Sequence, residues 1–195
     1  MTVNRRKALT ATLATAVLVA TSACSTESDS LADQAGSGQG YVSGSGVVTQ
    51  IPEAERGEPV EFDFTLLDGT EGSVKDYRPK LVVVNLWYAS CPPCRKEAPA
   101  LNEVASKFAD DAEFLGVNVR DGKAAAEGFT KTFDVKYANT LDTDGSIVAS
   151  LSKVLPPQAT PSTVILDKEG RPAARVVGAV EESTLRGLIE ETMGH

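Results

Sequence analysis

Residues 80–99 read KLVVVNLWYASCPPCRKEAP, and the fold is decided at the change of pattern inside them. From Lys80 to Trp87 the run is continuously apolar and rich in Val, which suits a strand buried on both faces at the centre of a sheet. From Cys91 to about Phe108 the period lengthens, with Ala98, Leu101, Val104, Ala105 and Phe108 spaced to form one apolar helical face. Pro92 and Pro93 fall in the first helical turn, where the missing backbone donors cost nothing. Pro99 lies deeper and predicts a kink. A buried strand running directly into a helix places Cys91 at the helix N-terminus, with Cys94 one turn on.

Working outward, VEFDFTLLDGT alternates apolar and polar positions after Pro59 and turns at Asp68-Gly69. EFLGVNV (113–119) is a second strand, and AAAEGFTKTF (124–133) a second helix. SIVASLSKV (146–154) is a weaker helix after a turn at DTDG, which lacks the oxygen ladder of a calcium loop. STVILDKEGRPAARVV is a hairpin about Lys168-Glu169-Gly170, and EESTLRGLIEETM closes the chain as an amphipathic helix. Strand, helix, strand, then hairpin and helix give an α/β domain with a mixed central sheet.

The first 23 residues carry Arg5, Arg6 and Lys7, an apolar run from Ala8 to Ala20 and small residues before Cys24, the pattern of an export signal. The run is short for a membrane span, which needs about 20 apolar residues. TSAC followed by Ser25 resembles a bacterial lipobox, which would make Cys24 the lipidated first residue, although Thr21 stands where Leu is usual. The alternative is a secreted protein cut nearby. NRRKAL is similar to a twin-arginine signal without its usual Phe. Residues 24–57 are rich in Gly, Ser and acidic side chains, and too poor in apolar surface to offset their chain entropy. They read as a flexible tether, leaving residues 58–195 as the folded domain.

Loss of residues 1–23 removes three basic residues and no acidic one, leaving 16 basic against 27 acidic and a net charge of −11. Such a field repels nucleic acid. The chain has three cysteines, one at the processing site and two as a pair, in keeping with export.

Three chemistries suit Cys91 and Cys94: redox exchange, metal ligation and a local staple. At a helix N-terminus unpaired N–H groups and the helix dipole favour a thiolate at Cys91. The exposed member of such a pair attacks a disulfide, and its partner three residues on resolves the mixed intermediate. Zinc wants four ligands, and the mature chain offers no second cysteine pair and only His195. Copper needs fewer soft ligands, so a Cu(I)-binding chaperone is the rival of another class. A staple across three residues closes too small a loop to remove much chain entropy.

VVNLWYASCPPCRKEAP resembles the membrane-anchored thioredoxin-like proteins of the TlpA/ResA group, with Asn85, Trp87, Cys91, Cys94, Glu97 and Pro99 in matching places. The order of elements is similar over roughly residues 58–193. Ser90 departs from the pattern, which usually has a second Trp there. The resemblance implies a thioredoxin-like α/β fold, a mixed central sheet flanked by helices on both faces. It also implies a redox-active Cys91–Cys94 disulfide, with Cys91 attacking and Cys94 resolving. Glu97, one turn after Cys94, is implied as the acidic group that moves protons, its pKa raised by partial burial. By residue type alone it could equally be a solvated neighbour of Arg95 and Lys96. Pro161 in QATPSTVIL is implied to be cis, facing the cysteines, and Thr160 to offer its backbone to an extended client. Pro156-Pro157 lengthens the loop before it. Pro92 joins the client-facing set, and Trp87 either packs beneath the site or fills the core. Thioredoxin-fold peroxidases place Thr three residues and Pro seven before their cysteine; Tyr88 and Val84 stand there instead.

The expected protein is therefore an exported, membrane-tethered thiol:disulfide oxidoreductase needing no small-molecule cofactor and no metal. The resemblance implies a reductant fed by a membrane thiol carrier, with clients such as apocytochrome c in cytochrome c maturation. An oxidase that installs disulfides uses the same residues in reverse.

Overall fold

The computed structural model describes residues 46–156 and 159–194. The expected signal at 1–23, Cys24, the expected tether up to residue 45, Pro157 and His195 lie outside the described residues. Six strands form one mixed sheet: β1 (Val47–Gln50), β4 (Leu81–Trp87), β5 (Ala112–Asn118), β6 (Ala138–Leu141), β7 (Ser162–Leu166) and β8 (Pro172–Val177), in the order β1-β8-β7-β4-β5-β6. β4, β5 and β6 run parallel, whereas β7 is antiparallel to β4, β8 to β7 and β1 to β8. A separate hairpin pairs β2 (Asp63–Thr65) with β3 (Glu71–Ser73) and touches the main sheet through a bridge between Leu66 and Thr140.

β4 is central because all seven of its residues are buried. The two-residue period of a strand sends Val82, Val84 and Leu86 into one core, with Phe62, Phe64, Ile147 and Leu151. Leu81 and Val83 point the other way, against Leu101 and Val104 of α1 (Pro92–Lys107) and Leu185, Leu188 and Ile189 of α4 (Glu182–Met193). α2 (Lys123–Thr132) packs Ala126 and Phe129 near Trp87, and α3 (Ser146–Ser150) contributes Ile147 to the opposite face. Helices thus cover both faces of a mixed sheet, the thioredoxin-like architecture.

Several elements differ from the sequence reading. The domain starts before residue 58, because β1 lies inside the segment that composition assigns to a tether. Its register, Val47 against Val177 through Gln50 against Ala174, adds an edge strand to β8. Both of its valines are exposed, at 47% and 41%, so backbone pairing rather than side-chain burial holds it, and no hydrophobic pattern announces it. β6 escapes a sequence reading for a similar reason: it has four residues, two of them polar and buried. The helix expected at 146–154 stops at Ser150. α1 continues through Pro99 to Lys107.

Candidate functional site

The junction of β4 and α1 is held by the neighbouring parallel strand. At the end of β5, Asn118 folds an Asx-type turn, its Oδ1 accepting the N–H groups of Arg120 (3.1 Å) and Asp121 (2.7 Å). Its Nδ2 donates to Asp121 Oδ2 at 2.8 Å, and that carboxylate oxygen also accepts the Ala89 N–H at 2.5 Å. The loop leading into the cysteines is therefore fixed from outside. Arg95 Nη1 donates to Ala89 O at 3.2 Å, and the Arg120 guanidinium lies 4.2 Å from the centre of the Tyr88 ring. A groove of about 440 Å³ opens beside this loop, lined among others by Leu86, Tyr88, Arg120, Leu155 and Thr160.

Cys91 caps α1: its backbone is extended (φ −72°, ψ 112°), and its Sγ accepts the Cys94 N–H at 3.2 Å. The two cysteines are joined in a disulfide with their Cα atoms 5.3 Å apart. The expected attacking sulfur is an exposed one, but in this oxidised form Cys91 is 0% and Cys94 1% exposed. The sulfur is tucked beneath the first helical turn that its own capping bond closes, leaving Pro92 as the exposed side of the motif. Trp87 does both things considered for it. Its ring stacks on Phe129 at 4.3 Å, and it packs in one cluster with Cys91, Cys94 and Ala98.

Glu97 is not a solvated neighbour of Arg95 and Lys96. It points inward from α1, 2% exposed, and each of its oxygens meets a neutral donor. Oε1 accepts Asn85 Nδ2 at 2.9 Å, and Oε2 accepts the Val180 N–H at 2.9 Å. Asn85 also donates to Thr163 Oγ1 at 3.1 Å. No ion pair reaches this carboxyl among the described residues. Burial raises its pKa to about 8 from the ordinary 4.5, against the opposing effect of the Val180 and Asn85 hydrogen bonds. This carboxyl lies on α1 one helical turn from Cys94.

The Thr160–Pro161 peptide is cis and both residues are buried, at the start of β7 beside β4. Thr163 and Val180 join the site without a signal in the sequence. Thr163 reads only as a strand residue, and Val180 contributes a backbone N–H that no side-chain pattern reports. Asn118 and Asp121 could have been found, since Asn-x-x-Asp directly after a strand is a turn signal. No cluster of three or more metal-binding side chains occurs among the described residues.

Residues 57–173 match the AhpC/TSA family. A thiol-disulfide oxidoreductase ResA from Bacillus cereus is 28% identical over 135 residues, covering 69% of this chain and 76% of ResA. Among solved structures, a DsbF homologue from Corynebacterium diphtheriae is 30% identical with a TM-score of 0.65, covering 74% of this chain and 92% of its own. A secreted thiol-disulfide isomerase from Corynebacterium glutamicum is 26% identical with a TM-score of 0.71, covering 76% and 92%.

Proposed function

We propose, from the premise that this chain belongs to the AhpC/TSA family and is a ResA-like thiol:disulfide oxidoreductase, that it is a protein-disulfide reductase outside the cytoplasm. The observation that carries the direction-independent chemistry is a cysteine pair capping a helix, one turn from a buried, protonatable Glu97. In the reduced form the Cys91 thiolate attacks one sulfur of a client disulfide, forming a mixed disulfide and releasing a client thiolate. Glu97, in its ionised form, accepts the Cys94 proton and becomes neutral. The Cys94 thiolate then attacks Cys91 Sγ, closing the Cys91–Cys94 bond and releasing the second client thiolate. Two electrons pass to the client, and the two protons follow to its thiols. A membrane thiol carrier re-reduces the pair.

Thr160 and Pro161 would present the edge to which an extended client adds, with Pro92 and Trp87 shaping the neighbouring surface. Lipidation at Cys24 would hold the domain at the outer face of the cell membrane, and residues 25–45 would give it reach. Apocytochrome c with an oxidised haem-binding motif is the client that this reading favours. No helix among the described residues is long and apolar enough to cross a membrane. The same pair run in reverse would install disulfides in exported proteins, and its reduction potential separates the two directions.

The test is the reduction potential of the pair together with turnover of a peptide disulfide. A value near or below thioredoxin's, about −270 mV, fits the reductase, and one near about −120 mV fits the oxidase. Cys91→Ser should abolish turnover in either direction. Persistence of exchange in that variant would end both readings.

A further inference from the structure

Between β8 and α4, three consecutive residues attach to three different parts of the molecule. Gly178 donates its N–H to the carbonyl of Pro161 at 2.9 Å. Ala179 accepts the N–H of Gly46, the residue before β1, at 3.0 Å. Val180 donates its N–H to Glu97 Oε2, while its side chain is 3% exposed in the core shared with Leu185 and Ile189.

Two glycines make this junction possible. Gly178 has φ 101°, a conformation that side chains with a Cβ rarely hold. A Cβ on Gly46 would lie 2.5 Å from Val176 Cγ1 and 2.7 Å from Ala179 O, so the close approach of the N-terminal strand depends on its absence.

We propose that the Gly178–Val180 segment is a positioning element for thiol–disulfide exchange, holding the Glu97 carboxyl of the cysteine helix in register with the Thr160–Pro161 edge, and that β1 braces it through Gly46. This inference rests on the reading of Glu97 as the proton carrier. One oxygen of Glu97 belongs to the sheet, through Asn85 and Thr163. The other belongs to this segment, and the same segment grips the carbonyl of the cis-proline. A client docked at Thr160 is thereby linked by two hydrogen bonds to the group that receives the proton.

Few groups face Glu97 among the described residues. Besides the Asn85 amide, itself bonded to Thr163 Oγ1, and the Val180 N–H there is the Tyr137 phenol, whose pKa is raised by burial and then by the negative charge of Glu97. Cys94 lies one turn earlier on α1. Arg95 is turned away, over Phe133 and onto Ala89 O. With so few contacts, loss of the Val180 bond should be felt directly in the titration of the carboxyl.

The experiment follows the side-chain carboxyl resonance of Glu97 in the full chain carrying 13C-labelled glutamate, assigned by its disappearance in Glu97→Gln. Val180→Pro removes the N–H and should move the midpoint upward by about one pH unit, because a charged hydrogen bond is lost. Gly46→Ala keeps every donor but displaces Ala179, and should move the midpoint in the same direction by less. The pH profile of peptide-disulfide exchange should move with it. A merely structural segment would alter the unfolding transition and leave the midpoint in place. Midpoints equal to wild type in the folded variants overturn the proposal, and if Val180→Pro does not fold, Gly46→Ala alone decides. Equal exchange rates in wild type and Glu97→Gln would overturn the proton-carrier reading beneath the inference, and the inference with it.

Discussion

Asp167, immediately after β7, and Glu97, tied through Asn85 to Thr163 near the start of that strand, are each only 2% exposed, yet their surroundings have little in common. Asp167 meets Arg56 Nη1 at 3.2 Å and Arg171 Nε at 2.9 Å, and accepts the backbone N–H groups of Glu169 and Arg171 at 3.0 and 2.8 Å. Glu97 meets two neutral donors and no cation among the described residues. Burying a charge is costly unless it is paired, and a carboxyl offered only neutral donors relieves the cost by holding a proton. The first arrangement closes a hairpin turn onto the segment before β2. The second keeps a carboxyl whose pKa is raised by burial, one helical turn from Cys94.

Removing the paired carboxylate should have the largest effect. Asp167→Ala leaves the Arg56 guanidinium, whose side chain is 6% exposed, without its partner. A loss of about 3–5 kcal/mol in urea unfolding is expected, with the exchange rate per folded molecule unchanged. A matching fall in exchange would erase the distinction between the two carboxyls. Glu97→Gln should do the reverse: exchange slows by about 100-fold, as loss of a general acid–base group predicts, while the fold persists.

The pH dependence sharpens the contrast. The folded-state pKa of Glu97, about 8, lies above its ordinary 4.5, so the native state binds more protons than the unfolded chain between those values. Stability from this group is fully present below about 4.5 and is lost as the pH rises through about 8. Denaturant midpoints across that window should decline in wild type and decline less in Glu97→Gln. An identical slope in both would show that the carboxyl is not protonated in the native state. The smallest effect belongs to Arg171→Ala. That side chain is 25% exposed and shares Asp167 with Arg56, so only a small drop in the thermal or urea midpoint is expected, well below that of Asp167→Ala.

Legibility in the sequence followed the range of the interactions. The Val-rich run of β4, the helical spacing of α1 and the cysteine pair at their junction could all be read, since each is set by neighbours a few residues apart. β1 could not, because its two valines stay exposed and only the register with β8 holds it. The depth of Glu97 was likewise undetermined: the spacing that places it one turn beyond Cys94 also places it beside Arg95 and Lys96. A helix position has an inward or outward aspect only once something covers it.

By itself the sequence determined where two sulfurs meet at a strand-to-helix junction, because strand period, helix period and proline tolerance are local properties of the backbone. Only the tertiary structure decided what surrounds the acid one turn further on. Its donors are Asn85 on the strand before the helix and the Val180 N–H 83 residues away, and the pKa of a buried carboxyl is the sum of what the folded chain brings to it and the water it excludes.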